Sequence, residues 1–66
     1  MKVTVNSEVV DMPAGTTLEA WLSVSDYAQR PCAVAVNETF VPRQSRADTV
    51  LREGDRIDVL EAFQGG

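Results

Sequence analysis

The sequence predicts an α+β fold: a mixed sheet of four to five strands packed on one main helix, with the last strand central. Three observations carry this. Apolar residues alternate with polar ones in "KVTVN" and again in "DRIDV" near the end of the chain, the period of strands with one dry face. One stretch, "TTLEAWL", offers a capping residue and then sets Leu18, Trp21 and Leu22 on a single helical face. The order reads strand, strand, helix, strand, short strand, strand, so after the first hairpin the helix must cross the sheet and leave a gap beside the first strand. The last strand fills that gap.

Each element has its own signal. Val3 and Val5 face one way against Lys2, Thr4 and Asn6, and Asn6 with Ser7 makes a tight turn into a second strand over residues 8–12. Pro13 and Gly15 end it. Thr16 is expected to cap the helix, with Glu19 returning the bond in a capping box. The helix fades by Ser25 and Asp26, and Pro31 in "QRPC" forces an extended connector. "AVAVN" is apolar almost throughout, as in a strand covered on both faces. Asn37 and Glu38 supply a turn, and "TFVP" gives a brief strand that Pro42 confines to an edge or terminates. "RQSRADTVL" reads as irregular or a single helical turn. A turn at Gly54 and Asp55 then precedes the final strand, which carries Ile57 and Val59 inward.

At 66 residues the chain is one domain, 1–66, near the lower limit at which a core sustains itself. The composition, 44% hydrophobic and 24% charged, is that of an ordinary globular chain. One cysteine and no histidine leave no internal disulfide and no plausible zinc or haem set, so packing must suffice. No stretch approaches membrane-spanning length, and the N-terminus alternates rather than showing a leader pattern; a cytoplasmic protein is expected. The net charge of −4 argues against nucleic acid as a partner. Arg43, Arg46, Arg52 and Arg56 are interleaved with acidic residues and read as solvated surface.

No acidic pair, histidine or positioned nucleophile marks this chain as an enzyme. Trp21 reads as core, and Cys32 as a buried, inert thiol rather than a reactive one. Arg43 is open between an ion pair and a partner contact. Leu60 follows Val59 directly and must point to the opposite face, with Ala62 at period two beside it. It reads either as part of a docking patch or as a scattered surface residue. Phe63 is expected to anchor the root of the tail.

The ending "FQGG" asks for an explanation, because glycine costs backbone order wherever it sits. Gly65 and Gly66 either fray or serve as a thin substrate peptide. Lacking Cβ atoms, they suit a narrow enzymatic channel in which a carboxylate is activated and attacked. Four residues from Phe63 to Gly66 would span at most about 14 Å.

Through "AVAVNETFVPR", "LREGDRIDVLEAFQGG" and overall length, the whole chain resembles the β-grasp, ubiquitin-like sulfur carriers, and among them the ThiS-like carriers of thiamine biosynthesis. The resemblance implies that the Gly66 carboxylate is adenylated by a ThiF-like partner using ATP and magnesium and becomes a thiocarboxylate. It also implies transfer of that sulfur into the thiazole ring on a ThiG-like thiazole synthase, a sulfur donor such as a cysteine desulfurase, and recognition of the tail through Gly65, Gln64 and Phe63. Leu60, Ala62 and Arg43 would then be partner contacts. Two positions depart from the pattern: Arg46 stands where relatives often carry an aromatic, and Trp21 is bulkier than the expected aliphatic. The alternatives are a molybdopterin synthase small subunit or another sulfur carrier, and a ubiquitin-like modifier or interaction module.

Overall fold

Alternation in the first strand decides which side of the sheet is dry. In the computed structural model, which describes residues 1–61, β1 (Lys2–Val5) buries Val3 and Val5 and leaves Lys2 and Thr4 on the other face. A two-residue turn joins it to the antiparallel β2 (Glu8–Asp11), with Val5 opposite Glu8. Asn6 and Ser7 in that turn have φ of 46° and 75°, the positive pair that a I′ hairpin turn needs. The turn between β3 (Cys32–Val36) and β4 (Thr39–Val41) repeats the device, with φ of 50° at Asn37 and 69° at Glu38.

Helix α1 (Leu18–Val24) begins one residue later than the capping pattern predicts. Thr17 is the cap, its Oγ1 accepting the Ala20 N–H at 3.1 Å. Thr16 is engaged elsewhere: its hydroxyl donates to the Pro13 carbonyl at 2.6 Å, and its own carbonyl accepts the Leu51 N–H at 2.9 Å. Leu18 N–H in turn donates to the Thr49 carbonyl at 2.8 Å, so this segment is bridged to residues 49–51 before the helix starts. The predicted apolar face holds. Leu18 and Leu22 are buried, and Trp21 packs against the core with its ring centroid 6.2 Å from that of Tyr27.

The sheet order is β2-β1-β5-β3-β4. Strand β5 (Arg56–Glu61) runs parallel to β1 and antiparallel to β3, so the last strand is central, as the chain order requires. Its Ile57 is fully buried and its Val59 half-buried. Strand β4 lies at the edge.

Two expectations are corrected. Strand β3 is covered on one face rather than two: Val34 is buried while Ala33 is exposed, because α1 packs on one side of the sheet and the alanines face the other. Arg46 is not solvated surface. It lies in a 3₁₀ helix over Arg43–Asp48, where an irregular segment or single turn was expected, and is only 8% exposed. That segment also delivers Leu51, which is buried with Val3, Leu18, Val34 and Ile57 at the centre of the core. Each such side chain contributes about 1.5–3 kcal/mol through removal from water. Among the described residues no helix is long and apolar enough to cross a membrane.

Candidate functional site

The site builds from the far end of β5. Because β5 is flanked on both sides, its backbone is hydrogen-bonded to β1 and β3, and two turn asparagines add to this. Asn6 Oδ1 accepts the Val59 N–H at 2.8 Å, and Nδ2 donates to the Val59 carbonyl at 3.3 Å and to the Tyr27 hydroxyl at 3.2 Å. From the other side Asn37 Oδ1 accepts the Arg56 N–H at 3.0 Å, Asn37 N–H donates to the Arg56 carbonyl at 2.7 Å, and Nδ2 donates to Asp55 Oδ1 at 2.9 Å. At the last described residue, Glu61 accepts Arg30 Nη1 on both carboxylate oxygens, at 3.2 and 3.3 Å. This pair is too exposed to add much stability; it joins the connector ahead of β3 to the end of β5.

The face of the sheet away from α1 carries an apolar surface. Leu60, 71% exposed, sits opposite Ala33 in register; Phe40, 62% exposed, sits opposite Ala35. Residues 33 and 35 share a face, so the four side chains form one continuous step from β5 to the β4 edge. Asp58, opposite Ala35 on its other side, pairs with Arg56 Nε at 3.4 Å and borders the patch with charge. Val9, also exposed, lies apart from this step on β2, with Thr4 of β1 and Arg56 of β5 between them. Exposed aromatic and aliphatic groups framed by charge are the anatomy of a docking surface.

The structure therefore places Leu60 on the open face, as the break in alternation predicts. Arg43 is not beside it. It is exposed at the start of the 3₁₀ helix and lines a pocket with Leu22 and Ser23 of α1, on the other side of the sheet. Ala62, Phe63, Gln64, Gly65 and Gly66 lie outside the described residues. Cys32 is a free, half-buried thiol packed against the core, opposite Glu61 in register. Phe40 was readable from sequence: Val41 is the inward residue of "TFV", so its neighbour must face out. The bracing by Asn6 and Asn37 had no such signal, since a turn asparagine looks the same whether or not its amide reaches a third strand.

Comparison with known proteins is consistent across the full length. The ThiS family matches residues 1–66. The chain is similar to the sulfur carrier protein ThiS of Escherichia coli K12, 30% identical over 66 residues with all of both chains covered. It is also 38% identical over 66 residues to a thiazole synthase of Magnetococcus marinus, covering all of this chain and 20% of that protein, so it spans about a fifth of that relative's length. Among solved structures, the crystal structure of thiamine biosynthesis protein ThiS from Geobacter metallireducens superimposes with a TM-score of 0.83 at 28% identity, both chains fully covered.

Proposed function

The chain belongs to the ThiS family, and on that premise we propose that it is a sulfur carrier of thiamine biosynthesis whose reacting group is the carboxylate of Gly66. A carboxylate resists nucleophiles, so it is first activated: one of its oxygens attacks the α-phosphorus of ATP, pyrophosphate leaves, and an acyl adenylate forms. Sulfide attacking the carbonyl carbon displaces AMP and leaves a thiocarboxylate; a donor persulfide attacking in its place displaces AMP to leave an acyl disulfide, which a second thiol cleaves to the thiocarboxylate and a disulfide. ATP and magnesium belong to a ThiF-like adenylyltransferase in this scheme. The sulfur comes from a donor such as a cysteine desulfurase, and a ThiG-like thiazole synthase receives it, in the cytoplasm. The chain is a co-substrate rather than a catalyst.

What supports this reading most directly is β5. The strand that carries residues 62–66 is the central one, fixed on both sides, so five further residues reach at most about 17 Å from a rigid base. Gly65 and Gly66 give the peptide the smallest cross-section available for an enclosed site. Leu60, Ala33, Ala35 and Phe40 form the surface on which the activating enzyme docks, and the sequence beyond Glu61 supplies the tail it receives. The relationship of this chain to one end-to-end portion of a thiazole synthase supports that enzyme class as the sulfur acceptor.

The test is mass spectrometry of the chain after incubation with a ThiF-like enzyme, ATP, magnesium and a sulfur donor. Exchange of one oxygen for sulfur at Gly66 is expected. Lysine conjugates in place of the exchange would identify a modifier, and an unchanged mass with competent partners would remove the carrier reading.

A further inference from the structure

Three of the chain's six basic residues converge on one hollow. Arg30, Arg43 and Arg46 line a pocket of about 500 Å³ between α1, the connector ahead of β3 and the 3₁₀ helix, and Glu19 and Cys32 also line it. In a chain of net charge −4 this is a local reversal of sign.

Arg46 makes the hollow more than a surface cluster. The residue is only 8% exposed. It donates from Nη2 to the Cys32 carbonyl at 2.8 Å, and its Nε is buried with no acceptor. Among the described residues no carboxylate lies within ion-pair distance of Arg46 or Arg43, and Glu61 is engaged by Arg30. A buried guanidinium normally has a counter-charge, because one neutral carbonyl does not offset the loss of hydration. Arginine's planar fork of donors matches the oxygens of a phosphate or carboxylate.

We propose that this pocket is an oxyanion-binding site, in which Arg46 supplies the buried charge and Arg43 and Arg30 close on the ligand from the rim. The ligand is a phosphate group on a small metabolite or a carboxylate on an acidic segment of a partner protein, which present the same acceptor oxygens. Glu19 opposes it and weakens the site. Through the Arg30–Glu61 pair the bound anion sits beside the end of β5, where the chain continues toward its tail. The proposal stands apart from the carrier reading, since it concerns binding by the isolated chain.

The experiment is an NMR titration of the ¹⁵N-labelled chain with sodium phosphate, with a tri-glutamate peptide and with sodium chloride at matched ionic strength. Saturable shifts of the arginine Nε–H signals and of the Ser23, Cys32 and Arg43 amides are expected with phosphate or the peptide. Arg43→Gln, an exposed change that leaves folding intact, should weaken binding about tenfold, as the loss of one charge-assisted hydrogen bond does. Glu19→Gln should tighten it, and Arg52→Gln, outside the pocket, should leave it unchanged. A response to phosphate alone assigns a metabolite, and a response to the peptide alone assigns a partner's acidic segment. Shifts no greater than with chloride, or equal weakening by Arg52→Gln, would overturn the site.

Discussion

The side-chain amide of Asn6 stands in for a strand against Val59. Strand β1 pairs with β5 through Thr4 N–H to the Asp55 carbonyl and Asn6 N–H to the Ile57 carbonyl, both at 2.9 Å, and then the chain turns away at Ser7. The next backbone groups of β5, the N–H and carbonyl of Val59, would lose their neighbour at that point. Asn6 supplies both missing partners from its side chain, so the ladder beside β5 is extended by one more residue toward Leu60.

Asn6→Ala should therefore cost about 2–3 kcal/mol, from loss of the two hydrogen bonds to Val59 and the one to the Tyr27 hydroxyl at ordinary net worth, read as a lower urea midpoint at unchanged slope. Asn6→Gly separates the amide from the backbone: it relieves the residue's φ of 46° yet still removes all three bonds. It should remain destabilising. Stability equal to the parent in the glycine variant would mean that the amide contributes nothing and that the alanine variant suffers from turn strain alone.

Ser7→Gly should act in the opposite direction. Ser7 holds a φ of 75° with a Cβ attached, a conformation costing an L-residue roughly 1–2 kcal/mol, and its side chain makes no hydrogen bond among the described residues. Asn-Gly is the preferred pair for a I′ turn. After the extra unfolded-state entropy of glycine is subtracted, a gain of about 0.5–1 kcal/mol is expected in the same denaturation experiment. A loss of stability would show that the hairpin does not bear this strain.

Much of the fold was legible in the residues because it follows from two simple periods and one topological constraint. Val3, Val5, Ile57 and Leu18 were placed by spacing, and the central position of β5 by the need to fill a gap beside β1. What spacing did not reveal were residues 43–51, where a 3₁₀ helix has neither the strand nor the α-helix period and its buried members, Arg46 and Leu51, follow no repeat. The shift of the cap from Thr16 to Thr17 has a similar origin: two adjacent threonines are equivalent locally, and the distant Thr49–Leu51 segment decides between them. Apolar β3 misled for a different reason, since alanine is small enough to be left facing water.

Leu60→Asp should separate stability from partner recognition. The side chain is 71% exposed, so the change is expected to alter folding free energy by no more than about 0.5 kcal/mol. On a partner surface, however, it sets a charge into an apolar contact beside Ala33, and the complex with the adenylyltransferase should weaken by about tenfold or more, a cost typical of truncating a central anchor. Phe40→Ala, at the far end of the same step, should weaken it by a similar route. Titration calorimetry with the adenylyltransferase measures both, and unchanged affinity in each variant would leave the open face without a docking role.

Gly66 should matter to chemistry and not to folding. The core formed by the described residues runs from Val3 to Ile57, so changes at the last two positions are expected to leave its packing in place. Appending one alanine after Gly66 should leave the melting curve unchanged within the roughly 0.5 kcal/mol scatter of neutral surface changes. It should abolish oxygen-to-sulfur exchange, because the new terminal carboxylate lies one residue beyond the place where ATP is held. Gly65→Ala should slow exchange and spare the melting curve, since a Cβ both widens the peptide and closes the positive-φ conformations open to glycine. Intact mass spectrometry after a timed reaction distinguishes the two effects: an extended chain that gains sulfur without first being trimmed would show that the Gly66 carboxylate is not the group activated.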